Sequence, residues 1–278
     1  MKFPTLKEFI KDPSCVDNGN FGDFWKNRRE YDKRWEYVSK VFKTFDIHYF
    51  KENDYSYYIY IEVPSERRGN TYDIVIHFFT QFDAIASQSN LQNYNIKFFS
   101  NNPVFGFWFA YANASKGLII DFLLDKIPRD MLENPAKKYN PKSHVGFDHS
   151  FYHAAKYLLD APRRLNKTFF ESKLLPFEKS RIHKLCRPLD QTMEEYRELK
   201  NKENNKKRFN EEKSLKDRAS DTIADIKSGL QSGKDKISET INKIKNPGVK
   251  KITASKSNAT NKTKSGVHRI TARKGRRK

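Results

Sequence analysis

Tyr57-Tyr58-Ile59-Tyr60-Ile61-Glu62-Val63 and Tyr72-Asp73-Ile74-Val75-Ile76-His77-Phe78, separated by the turn-rich Pro64-Ser65-Glu66-Arg67-Arg68-Gly69-Asn70, are the two runs whose reading decides the fold. In the first, Tyr57, Ile59, Ile61 and Val63 share one side of an extended chain, with Tyr58, Tyr60 and Glu62 on the other. In the second, Tyr72, Ile74, Ile76 and Phe78 repeat the pattern. β-Branched and aromatic residues at alternate positions suit a pleated, half-buried surface, so the pair reads as a hairpin. Two more strands are predicted downstream. One holds Ile96 and Phe98; in the other, Val104, Gly106, Trp108 and Ala110 face away from Phe105, Phe107, Phe109 and Tyr111. Asn101-Asn102-Pro103 between them is a turn signal. The last strand is apolar on both faces and is expected at the centre of the sheet.

Outward from this core the periodicity turns helical. A short helix at Thr5 to Lys11 is ended by Pro13. Phe24 to Phe45 reads as a long helix with Tyr31, Trp35, Val38, Phe42 and Phe45 on one stripe, Arg28 among them. Gln81 to Asn93 reads as a short helix with Phe82, Ile85 and Ala86 inward, while Leu118 to Leu124 fits a strand and a helix start equally well. After Pro128 helices take over. Phe151, Ala154, Ala155, Leu158 and Leu159 mark one, and Leu165 to Leu175 and Phe177 to Cys186 mark two shorter pieces. Pro188 is a natural boundary before a charged helix from about Leu189. No long βαβ series is written here. The expected fold class is therefore α+β, an antiparallel or mixed sheet of about four to five strands flanked by helices, followed by a helical then extended basic C-terminal arm. The expected division is a globular domain over 1–187, a helical extension over 188–245 and a disordered basic tail over 246–278.

Composition agrees with that division. The chain has 278 residues with 22 Phe, 14 Tyr and 3 Trp, and its apolar residues thin out sharply after Leu199. Cys15 and Cys186 are the only cysteines, which excludes a disulfide scaffold and suits a reducing compartment, though a single bridge between them stays open on count alone. Net charge is +20. Lys250, Lys251, Lys256, Lys262, Lys264, Arg269, Arg273, Lys274, Arg276, Arg277 and Lys278 lie in a tail without acidic residues, leaving +9 on the residues before it. Such a charge favours a polyanionic partner through counterion release. Met1 to Glu8 lacks the apolar core of a signal peptide. The longest apolar run, Leu118 to Leu124, contains Asp121 and falls far short of the roughly 20 residues that span a bilayer, so no integral membrane segment is expected.

The arm carries two patterns of its own. Ile223, Leu230, Ile237 and Ile244 recur every seven residues, with Ile226 at a d-like position, whereas Gly233 and Thr240 occupy the further d-like positions. This thin stripe reads as a docking element, on a partner or on a membrane surface, with Asp221 to Lys245 folding on contact. In the tail, Val249-Lys250-Lys251-Ile252-Thr253-Ala254-Ser255-Lys256 is echoed by Val267-His268-Arg269-Ile270-Thr271-Ala272-Arg273-Lys274, making Ile252 and Ile270 further docking points.

Candidate chemistry is sparse. His149 and His153 have the spacing of metal ligands on one helical face, with Asp148 or His144 near, but no Glu follows the first His. A solvent-facing side of the helix accounts for both, and no metal is expected. Cys186 and His183 sit three apart on a helix, the spacing of a thiolate–imidazole pair, with nothing to orient the imidazole. Glu62 and Asp73 fall on adjacent strands in the manner of a two-carboxylate metal site. No phosphate-binding, dinucleotide or nucleophile-elbow motif is present, and Gly106 reads as an interior glycine that makes room for packing. No cofactor, catalytic residue or small-molecule substrate is expected.

Two stretches carry a resemblance. Ile96 to Tyr111, with Phe98-Phe99-Ser100-Asn101-Asn102-Pro103 and the alternating aromatics after it, and again Leu118 to Leu159, resemble virion-associated proteins of tailed bacteriophages. The resemblance covers about the middle quarter of the chain. It implies a structural part of the particle or of its assembly machinery, found in the virion and in the host cytoplasm during assembly, with other virion subunits and DNA as partners. The alternatives are a cytoplasmic nucleic-acid-binding or nuclease-like protein and a membrane-surface adaptor.

Overall fold

The computed structural model describes residues 3–16, 28–65 and 70–245, with the side chains of 243 and 244 excepted. Two compact units divide after Phe209. In the first, strands β1 (Asp46–Asn53), β2 (Ser56–Pro64), β3 (Thr71–Phe79), β4 (Asn95–Ser100) and β5 (Leu174–Pro176) form one mixed sheet in the order β4-β3-β2-β1-β5. The first four pair antiparallel and β5 pairs parallel with β1.

The hairpin is where its alternation puts it. Ile59 pairs with Ile76 and Ile61 with Ile74, so their side chains share a face, and Phe98 of β4 extends it beside Ile76. This face is covered directly by helices α1 (Leu6–Lys11) and α7 (His149–Leu159), with α2 (Arg28–Val41) at one remove: Phe98 lies 4.2 Å from Phe151 and 5.5 Å from Phe9, ring centre to ring centre. The opposite face, lined by Tyr58, Tyr60 and His77, is buried as well, because Phe122 and Phe177 pack on Tyr58. A sheet covered on both sides explains why the central strands β2 and β3 carry so few polar residues.

Between these strands lie α3 (Asp83–Ala86), α4 (Pro103–Trp108), α5 (Ala110–Ser115) and α6 (Arg129–Glu133); α8 (Lys167–Phe170) and α9 (Lys179–Leu185) follow α7, and α10 runs over Leu189–Lys245. On α2, Tyr31 and Val38 are buried; the Tyr31 hydroxyl donates to the Phe147 carbonyl, and Trp35 Nε1 donates to Asp160 at the end of α7. The helix expected over Phe24 to Phe45 ends at Val41, and residues 24–27 lie outside the described ones.

Several expectations are overturned. Val104 to Tyr111 is not a strand but helices α4 and α5. Asn102 caps α4, its side chain accepting from the Val104 amide at 2.9 Å, and Pro103 occupies the first turn, where its missing N–H costs nothing. The two-sided apolar run is a helix buried by Phe105 and Phe109, with Phe107 left exposed. Asp46 to Asn53 and Leu174 to Pro176, not read as strands, are β1 and β5. Only Asp83 to Ala86 is α-helical within Gln81 to Asn93, and Phe82 is 63 % exposed rather than inward. Leu118 to Leu124 is neither strand nor α-helix: Ile119 bridges Phe98 and a 3-10 helix follows over Asp121–Lys126. Cys15 is exposed and Cys186 buried, both as free thiols, so no bridge joins them.

Candidate functional site

The carboxylate pair on the hairpin resolves into a structural clamp. Glu62 and Asp73 are direct cross-strand partners, as their positions suggested. Yet Asp73 is buried and already saturated: it accepts from Arg187 N at 2.8 Å, Arg187 Nε at 3.0 Å, Tyr60 Oη at 3.0 Å and Asn101 Nδ2 at 2.7 Å. Arg187 Nη2 also donates to the Thr71 carbonyl at 2.7 Å. A carboxylate so engaged fastens the start of α10 to β3 instead of waiting for a metal.

The histidine pair on α7 lies inside, not on a solvent face. His153 is buried at 3 % exposure, and His149 stacks flat on Tyr31 with ring centres 4.0 Å apart. Burial pulls both imidazoles down, His149 to about 4 with the Arg34 charge assisting and His153 to about 3 with His149 assisting, so both are neutral at pH 7. Their Nε2 atoms have no hydrogen-bond partner. Asp148 does not join them: its Oδ1 accepts from the Ser150 and Phe151 amides as the α7 N-cap. Burial raises its carboxyl to about 6, against the pull of Ser100 and those amides. Among the described residues no group of three His, Cys, Asp or Glu is placed to hold a metal ion. Nor do His183 and Cys186 pair, since His183 Nε2 lies 2.8 Å from Asp125 Oδ2 and burial pushes the Cys186 thiol up.

Gly106 does make room for packing, on a helix rather than a strand. A Cβ there would come within 2.3 Å of Leu189 Cδ2 and 2.9 Å of Met131 Sδ, so α4 and α10 meet across a bare backbone.

A cavity of about 460 Å³ opens beside this contact, unforeseen in the sequence because its wall comes from four separated helices and loops. Arg34, Arg197 and Lys200 contribute to its lining with Phe107, Trp108 and Tyr139, and among the described residues no carboxylate lines it. Trp108 and Tyr139 stack at 5.7 Å.

The second unit contributes residues 210–245 of α10. Ile223, Ile226, Leu230 and Ile237, expected as docking points, are all exposed, Leu230 at 63 %, and Leu215 and Ile241 join them. The Ile244 side chain, Ile252, Ile270 and the cationic tail from Lys250 to Lys278 lie outside the described residues. No helix of the described residues is long and apolar enough to cross a membrane. No family model matches this chain, and no curated protein or solved structure matches it.

Proposed function

We propose that the protein is an assembly component of a tailed-phage particle rather than an enzyme, acting in the virion and, during assembly, in the host cytoplasm. Its folded unit is a passenger; residues 210–278 are the anchor, with the helix supplying apolar contact and the tail from Lys250 to Lys278 meeting the phosphates of packaged DNA. The observation that carries this reading is the uncovered row of Ile223, Ile226, Leu230 and Ile237 on a helix that needs them for nothing inside the fold. The resemblance of the middle segment supports the particle, and the charge of the tail supports DNA.

Deleting 246–278 tests it. The truncated chain should unfold at the same temperature as the full one, and its retention on duplex DNA should drop with a shallower dependence on salt. Equal retention of both chains across a salt series removes the tail's role. Finding the chain in purified particles supports the setting; its absence from them defeats it.

A further inference from the structure

The exposed helix is more ordered in its chemistry than a seven-residue spacing conveys. At the roughly 100° advance per residue of an α-helix, Leu215, Ile223, Ile226, Leu230, Ile237 and Ile241 fall within an arc of about 80°. Cations run along both borders of that arc, Lys216, Lys227 and Lys234 on one side and Arg218 and Lys236 on the other. Asp217, Asp221, Asp235 and Glu239 occupy the far side, and Asp225 sits about 20° beyond Arg218 and Lys236 at the second border. All of these charged side chains are exposed.

This arrangement selects among occupants. Two copies meeting stripe to stripe would bring cationic borders together, and Gly233 and Thr240 would leave alternate layers empty. Duplex DNA answers the cations and offers nothing to the isoleucines. A bilayer with anionic headgroups meets both at once: the acyl boundary takes the apolar arc, the headgroups take the two cationic borders, and the acidic side faces water.

We infer that residues 215–241 lie along an anionic lipid surface, the apolar arc inserted at the headgroup boundary and the flanking lysines and arginine among the headgroups. This rests on reading 210–278 as the anchoring arm, and it names the surface the helix engages.

The test is flotation of the full-length chain at physiological salt with vesicles of mixed phosphatidylglycerol and phosphatidylcholine, and with phosphatidylcholine alone. Wild type floats with the mixed vesicles only. Ile226→Gln/Leu230→Gln/Ile237→Gln keeps good helix formers on exposed positions and lowers the vesicle-bound fraction by about tenfold or more, while DNA retention stays unchanged. Lys227→Gln/Lys234→Gln gives a smaller loss that shrinks as salt rises. Wild type that does not float, or a triple-Gln variant that floats equally, overturns the inference. So does a lipid-free dimer in sedimentation that the triple-Gln variant abolishes, which would assign the stripe to a second copy. The arm reading fails separately, through tail-independent DNA retention.

Discussion

Asp73 and Arg187 form the most heavily bonded charge pair of the folded unit, and the consequence of breaking it is asymmetric. Asp73→Ala leaves the guanidinium with the looser Glu195 contact at 3.6 Å in place of its buried, directly bonded carboxylate and should lower unfolding free energy by about 3 kcal/mol in urea titration. Asp73→Asn keeps the shape and should recover part of that loss. Titration adds a second residue-scale prediction. Burial holds His77 at about 3, as it holds His149 and His153 low, against an ordinary value near 6.5. The unfolded chain therefore takes up these protons first. Stability from the three is full above about pH 6.5 and is lost as pH falls, each group contributing a slope of about 1.4 kcal/mol per pH unit. Asp148 has the opposite sign: its folded carboxyl keeps a proton up to about 6, so its contribution is present in acid and lost as pH rises. Three groups against one leave a net loss on acidification from 6 to 4. His153→Gln should flatten that slope by about one proton, read from urea midpoints across the range.

At the scale of the element, the hairpin was legible because period-two hydrophobicity and a turn-rich connection say the same thing about one short stretch of chain. Residues 104–111 were not. With both faces apolar, alternation carries no information, and the deciding signal was Asn102-Pro103, a helix cap that also reads as a turn. β1 was missed because Asp46, Lys51, Glu52 and Asn53 dilute its pattern, and β5 because three residues fall below any periodicity. The Asp73 clamp was half-visible: the two carboxylates were placed side by side, but the partner that occupies one of them comes from 114 positions later in sequence. The cavity left no mark at all, since its walls come from four helices far apart in sequence. Where α4 crosses α10, Gly106→Ala trades helix propensity against collision with Leu189, and the collision should win by about 1 kcal/mol in thermal unfolding. In a Leu189→Ala background the same change should cost little or stabilise, which a double-mutant cycle would register as coupling.

For the molecule as a whole, where the chain is cut matters more than how much is removed. Leu189, Thr192 and Met193 are buried in the first unit, and Arg187 is clamped to its sheet. A chain ending at 187 should therefore lose several kcal/mol, at about 2–3 for each large apolar side chain stripped from the core, whereas one ending at 209 should keep the full unfolding temperature. Scanning calorimetry of the two truncations separates these outcomes.

The sheet also has short or partly covered edges. Beyond β4, the Ile96 amide donates to the Pro4 carbonyl and the Phe98 amide to the Leu118 carbonyl, while at the other side β5 is three residues long and ends in Pro176, which has no amide hydrogen to give. Strand addition, by which many assembly proteins splice a neighbour's peptide into their own backbone ladder, has little free main chain to start from here. Recognition by the folded unit is thus expected to rest on side chains, and fibrous stacking of stray copies is discouraged by the same geometry.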